Sequence, residues 1–174
     1  MKKYTQEEYN AFQRDEYGYK QCPSGDYTDV HIFEDKSSFG ERCSFGAWCR
    51  FGERCSFGAG CSFGERCSFG EQCSFGAWCS FGAWCRFGAG CSFGEHTSFE
   101  GLTDATYIAV DRIGSEDRKT YFFHADEGMF VRAGCWFGSI DDFVKRVKEV
   151  HAGTKHERAY LKAVELAKVM LEEV

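Results

Sequence analysis

Nine cysteines, at 43, 49, 55, 61, 67, 73, 79, 85 and 91, stand six residues apart in a chain of 174. Thiols repeated in this way raise disulfide, metal-thiolate and redox chemistry. Structural zinc takes paired thiolates at Cys-x2-4-Cys spacing, whereas five residues separate each of these cysteines from the next. The total of eleven cysteines is odd, the chain is long, and Met1 to Asn10 mix Lys2, Lys3, Glu7 and Glu8 with no apolar run. Those features argue for reduced thiols in the cytoplasm rather than a secreted disulfide framework. The hexad cysteines therefore read as small apolar fillers. Neither a metal nor a cofactor is expected, and a thiol or metal store ranks third among the functional readings.

Other reactive types are sparse. His96 is the one histidine within the clear hexads, with His31 in a worn first repeat, and His124, His151 and His156 fall elsewhere. No Asp or Glu spacing marks any of them as half of a catalytic pair. A Ser-His-Asp set, a phosphate-cradling Gly loop and paired carboxylates are not identifiable. Large side chains offer more. Trp48, Arg66 and Trp84 recur at 18-residue intervals, and Arg42, Gly60, Trp78 and His96 form a second such series.

These residues are positioned by a hexad, Cys-Ser/Arg-Phe-Gly-x-x, with Phe at every sixth position from 39 to 99. Cys in, Ser out, Phe in is the period-2 pattern of a short strand with one buried face. Glycine every sixth residue would cost roughly 0.5–1 kcal/mol each inside a helix. At a corner it would supply backbone angles closed to other residues. Tyr27, Phe33 and the Thr97-Ser98-Phe99 unit keep the register, which extends the repeat from about residue 25 to 102 with worn ends, as caps require.

A short strand and a corner every six residues resembles the hexapeptide repeat of left-handed parallel β-helix proteins, with Phe in place of the usual Ile, Leu or Val and Cys in place of a small residue. The resemblance implies a mainly β, triangular coil of 18 residues and about four turns. Residues 18 apart would then stack, giving phenyl ladders 45/63/81/99, 51/69/87 and 39/57/75/93 and cysteine ladders 43/61/79, 49/67/85 and 55/73/91. Each ladder holds three cysteines, so complete disulfide pairing is impossible. The residue before each cysteine should point outward, which puts Trp48, Arg66, Trp84 and Leu102 on one edge and Arg42, Gly60, Trp78 and His96 on the next. Serine rows 38/56/74/92 and 44/62/80/98 would face outward on two walls, and Arg50, Ser68 and Arg86 on the third. Many proteins of that family are acyltransferases using a histidine, which makes His96 the alternative catalytic candidate.

Three segments follow: an N-terminal helical cap (1–24), the β-helix (25–102) and a C-terminal α+β segment (103–174). Thr5 with Glu8 predicts a capping box on a helix at about 6–14. Residues 106–113, 119–125 and 128–134 read as antiparallel strands. Ser139 with Asp142, and Thr154 with Glu157, open two helices with stripes Ile140, Phe143, Val144, Val147 and Tyr160, Val164, Ala167, Met170, Leu171. Cys135-Trp136-Phe137-Gly138 echoes the hexad and reads as a stray coil fragment.

Charge is spread without a basic block: residues 1–36 carry 5 basic and 8 acidic groups, 37–98 carry 5 and 5, and 99–174 carry 11 and 14. On that count no nucleic-acid partner and no membrane are expected. The runs Lys20–Tyr27 and Phe130–Gly138 flanking the hexads resemble uncharacterised proteins of gut bacteria and their phages, which implies an intracellular protein without assigning an activity. The reading is a non-enzymatic binding or scaffolding rod. Its surface of Trp48, Arg66, Trp84, Trp78, Arg50 and Arg86 would serve self-association, a protein partner or a small planar or cationic ligand.

Overall fold

The computed structural model describes residues 1–134 and 136–172, and the chain divides into two compact units, Met1–Thr103 and Asp104–Val174. The first opens with helix α1 (Gln6–Ala11). It continues as fourteen short strands: β1 (Lys20–Cys22), β2 (Asp26–Tyr27), β3 (Ile32–Phe33), β4 (Ser37–Phe39), β5 (Ser44–Phe45), β6 (Arg50–Phe51), β7 (Ser56–Phe57), β8 (Ser62–Phe63), β9 (Ser68–Phe69), β10 (Ser74–Phe75), β11 (Ser80–Phe81), β12 (Arg86–Phe87), β13 (Ser92–Phe93) and β14 (Ser98–Phe99). They form three parallel sheets, β1-β4-β7-β10-β13, β2-β5-β8-β11-β14 and β3-β6-β9-β12. This is a mainly β, parallel solenoid of about four turns. Ser62 pairs with Ser44 and Ser80, and Phe63 with Phe45 and Phe81, so the 18-residue ladders hold.

Three phenyl rings fit each layer because they meet in two complementary ways. Along a ladder Phe57 and Phe75 stack at 4.8 Å with 2° between planes. Around a coil Phe57 and Phe63 meet edge to face at 5.0 Å and 88°. Both are geometries the ring quadrupole favours.

The glycines do a different task from the one their sequence position suggests. None of the glycines that follow a phenylalanine, from Gly40 to Gly94, has a positive φ; the left-handed residue is the one just before the cysteine, including Arg42 (φ 57°), Trp48 (62°), Arg66 (58°) and Trp84 (64°). A Cβ on Gly58 would lie 2.7 Å from the backbone nitrogen of Glu41 in the preceding coil, so glycine is needed for close approach of backbones. The turn takes its positive φ at the following corner residue, in the manner of a type II turn. That corner residue's N–H then donates to the next coil, as from Trp48 to the Glu65 carbonyl at 2.9 Å.

The coil begins earlier than residue 25. Lys20–Cys22 pairs with Ser37–Phe39, and Cys22 takes the phenylalanine position of the first rung. Helix α1 ends at Ala11, short of residue 14, with the Thr5/Glu8 capping box formed. Its Tyr9 is fully buried over Phe33 at 5.0 Å, and the Tyr9 hydroxyl accepts from the Glu34 N–H at 2.7 Å.

In the second unit β15 (Thr106–Ile113), β16 (Arg118–Ala125), β17 (Gly128–Ala133) and β18 (Trp136–Ser139) form an antiparallel sheet in sequence order, followed by α2 (Ile140–Val150) and α3 (Lys155–Glu172). Ser139 caps α2 through the Asp142 N–H, and Thr154 accepts from Glu157. The helices bury Ile140, Phe143, Val147, Val164, Ala167 and Leu171 against Phe122 and Val131 of the sheet. Met170, expected in that stripe, is 55 % exposed, and Ala163 is buried instead. Trp136–Ser139 is a fourth antiparallel strand on β17 and not a coil fragment; Cys135 lies outside the described residues. No helix among the described residues is long and apolar enough to cross a membrane.

Candidate functional site

The thiols point inward at every turn of the solenoid. Cys67 Sγ donates to the carbonyl of Gly64 in its own turn at 3.3 Å and to that of Gly46 in the coil before at 3.2 Å. Bonds from Cys73, Cys79, Cys85 and Cys91 reach back by the same 21 residues at 3.4–3.5 Å. Where the repeat wears out, a hydroxyl takes over: Ser37 donates to the Glu34 carbonyl at 2.8 Å and Thr97 to that of Gly94 at 2.7 Å. Each of these cysteines is thus a small side chain that ties two turns together, buried at every position but the half-buried Cys91, a use the filler reading omits.

The neighbouring Cys43 and Cys79 thiols of its ladder, with burial adding, hold the Cys61 proton more tightly than in an ordinary thiol, while Cys43 and Cys79 are themselves lowered by Cys61. Burial pushes the Cys22 thiol up to about 12. Ionising Cys22 or Cys61 places a charge in the core of the coil, so these two are poorly disposed to act as nucleophiles.

The outward residues assemble the candidate surface. Pairing of Arg50 with Ser68 and of Ser68 with Arg86 sets Trp48, Arg66 and Trp84 above one another on the adjoining corner. The Arg66 guanidinium carbon lies 4.7 Å from the centroid of the Trp48 ring. Trp48 is 62 % exposed, Arg50, Arg66 and Arg86 are exposed, and Trp84 is half-buried. Leu102 departs from the expected row. It is buried, and its N–H turns back to the Phe99 carbonyl at 2.7 Å. The row ends at Trp84, whose N–H is taken by the Glu100 carboxylate at 3.0 Å, a side chain standing in for the missing next coil.

Trp78 and His96 lie on a different corner, where their rings stack at 4.1 Å. His96, the candidate for acyl transfer, is an exposed left-handed corner residue in that ring pair. Sequence reasoning had no signal for this contact beyond the 18-residue interval.

A scan against protein families matches the hexads, at residues 38–52, 43–58, 54–76, 72–88 and 78–94, to a family described as RNA-binding, Nab2-type zinc fingers. None of the curated proteins and none of the solved structures compared matches the chain. The family match covers about a third of the chain and overturns the expectation that nucleic acid is not a partner. The physical weakness of that expectation was its use of segment totals: acidic Glu65 and Glu53 sit at corners, while the row Arg50, Ser68, Arg86 carries cations without an intervening acid.

The zinc implied by that match does not fit the residues present. The matched span holds nine cysteines and no histidine. The three thiols of each coil lie at three different corners, and their S–H groups are engaged with backbone carbonyls. Among the described residues no group of three or more His, Cys, Asp or Glu is placed to hold a metal ion.

Proposed function

We propose that the protein is a non-enzymatic recognition rod of the cytoplasm whose Trp48, Arg66 and Trp84 corner, with Arg50 and Arg86 beside it, binds single-stranded RNA. The observation that carries this reading is the guanidinium of Arg66 lying over the exposed Trp48 ring, one coil below Trp84. Two indoles two coil rises apart, about 9–10 Å at the usual strand spacing, leave a gap of the order needed for stacked planar groups once the arginine swings aside. Unpaired bases offer a π-face whatever their identity, and the two wall arginines lie where a backbone would track. The family match adds independent support for RNA as the chemistry recognised.

The test is titration of the full chain with a short single-stranded oligouridine, read by tryptophan fluorescence. Quenching is expected, with duplex RNA binding more weakly. Trp48→Ala with Trp84→Ala should weaken binding at least tenfold, while Arg50→Gln with Arg86→Gln should lower the salt slope by about 2. Absence of binding, or affinity indifferent to these substitutions, would overturn the proposal. If the same variants instead lose self-association measured by sedimentation, the face belongs to a second copy and the RNA reading fails.

A further inference from the structure

The second unit contains a cavity of about 250 Å³ lined by the β15–β16 turn, by Gly134 and Trp136, and by α2, with Tyr160 of α3 on one side. Its inner wall is aromatic. Trp136 and Phe143 approach to 5.5 Å, and Tyr160 meets Phe143 edge to face at 5.3 Å. Two glycines seat these rings: a side chain at Gly114 would collide with the Tyr160 hydroxyl, and a Cβ on Gly138 would lie 2.8 Å from the Trp136 ring. Two cations line it, Arg118 from the sheet and Arg146 from α2, and the His151 side chain at the end of that helix lies beside them in the lining. One acid, Glu116, lies 3.5 Å from Arg118, but both side chains are more than half exposed, so the pair is weak and exchangeable.

A ring-lined cavity with two exposed arginines in its lining is complementary to a flat hydrophobic body carrying one anionic group, because guanidinium pairs with carboxylate through two parallel N–H donors. We infer that this cavity is a binding site for a small aromatic carboxylate, with its ring against Trp136, Phe143 and Tyr160 and its carboxylate between Arg118 and Arg146.

The test is calorimetric titration of the full chain with phenylacetate and indole-3-acetate, each beside its neutral amide. The acids are expected to bind at least tenfold more tightly than the amides. Arg118→Gln and Arg146→Gln should each lose tenfold or more. Both arginines are exposed, so the variants should keep their melting temperature. The Trp136 indole N–H resonance should shift during the titration. Equal binding of acid and amide, no binding of the acids, unchanged affinity in both arginine variants, or shifts confined to Trp48, Trp78 and Trp84 would each overturn the assignment.

Discussion

A left-handed backbone is carried by Lys36, Arg42, Trp48, Arg54, Arg66, Gln72, Trp78, Trp84 and His96, residues that elsewhere avoid it at a cost of roughly 1–2 kcal/mol each. Glycine serves that purpose only at Gly60 and Gly90 among the hexad corners. Two neighbouring glycines therefore separate two demands. Gly60→Ala, which meets open space beyond an Arg42 contact at 3.4 Å, should cost about 1 kcal/mol through backbone strain alone. Gly58→Ala drives a methyl into the Glu41 backbone and should cost about 2–3 kcal/mol. Gln72→Gly should raise stability. Urea midpoints of the three variants check this, and equal losses at 58 and 60 would contradict it. The period of the glycines was legible in the sequence, but their purpose was not: a bare Cα serves a positive φ and a close approach equally well. Arg or Trp at a corner gives no warning of αL.

At the scale of the element, the coil is held by thiol bridges as well as by strand ladders. Replacing Cys67 by Ser preserves a donor toward Gly46 and Gly64, as Thr97 does toward Gly94, and should leave the urea midpoint nearly unchanged. Cys67→Ala removes the donor and should cost about 1 kcal/mol or more. The ladders, the capping boxes and three of the four antiparallel strands were readable from spacing. Trp136–Ser139 was not, since Cys-Trp-Phe-Gly satisfies the hexad and a strand alike, and only pairing with β17 decides between them. Met170 shows the same limit: a helical stripe names candidates for burial, and the packed cluster takes in Ala163 instead. On the candidate surface, the 18-residue interval predicted the Trp48 and Arg66 stack, while the burial of Leu102 depended on a chain reversal that periodicity does not contain.

For the whole molecule, alkaline pH should be the weak side. Burial raises the Tyr9 hydroxyl from 10.0 to about 12 and Tyr27 further, and the Cys22 thiol from 9.0 to about 12. The fold favours their protonated forms, so the stability they contribute is complete below the unfolded values and is lost as pH rises toward the folded ones. Melting temperatures by circular dichroism should be flat from neutrality to about pH 9 and fall between about pH 9 and 12. A melting temperature unchanged across that range would contradict the burial of these groups. The hexad has a further bearing on how such a chain can vary. Every repeat presents the same inward residues, so duplicating one by replication slippage leaves the interior intact and merely renumbers the edges. One hexad gained after Arg66 would carry Trp78 into the place of Trp84 and send Trp84 to the edge of Arg54 and Gln72, offering new surface combinations to selection at little risk to folding.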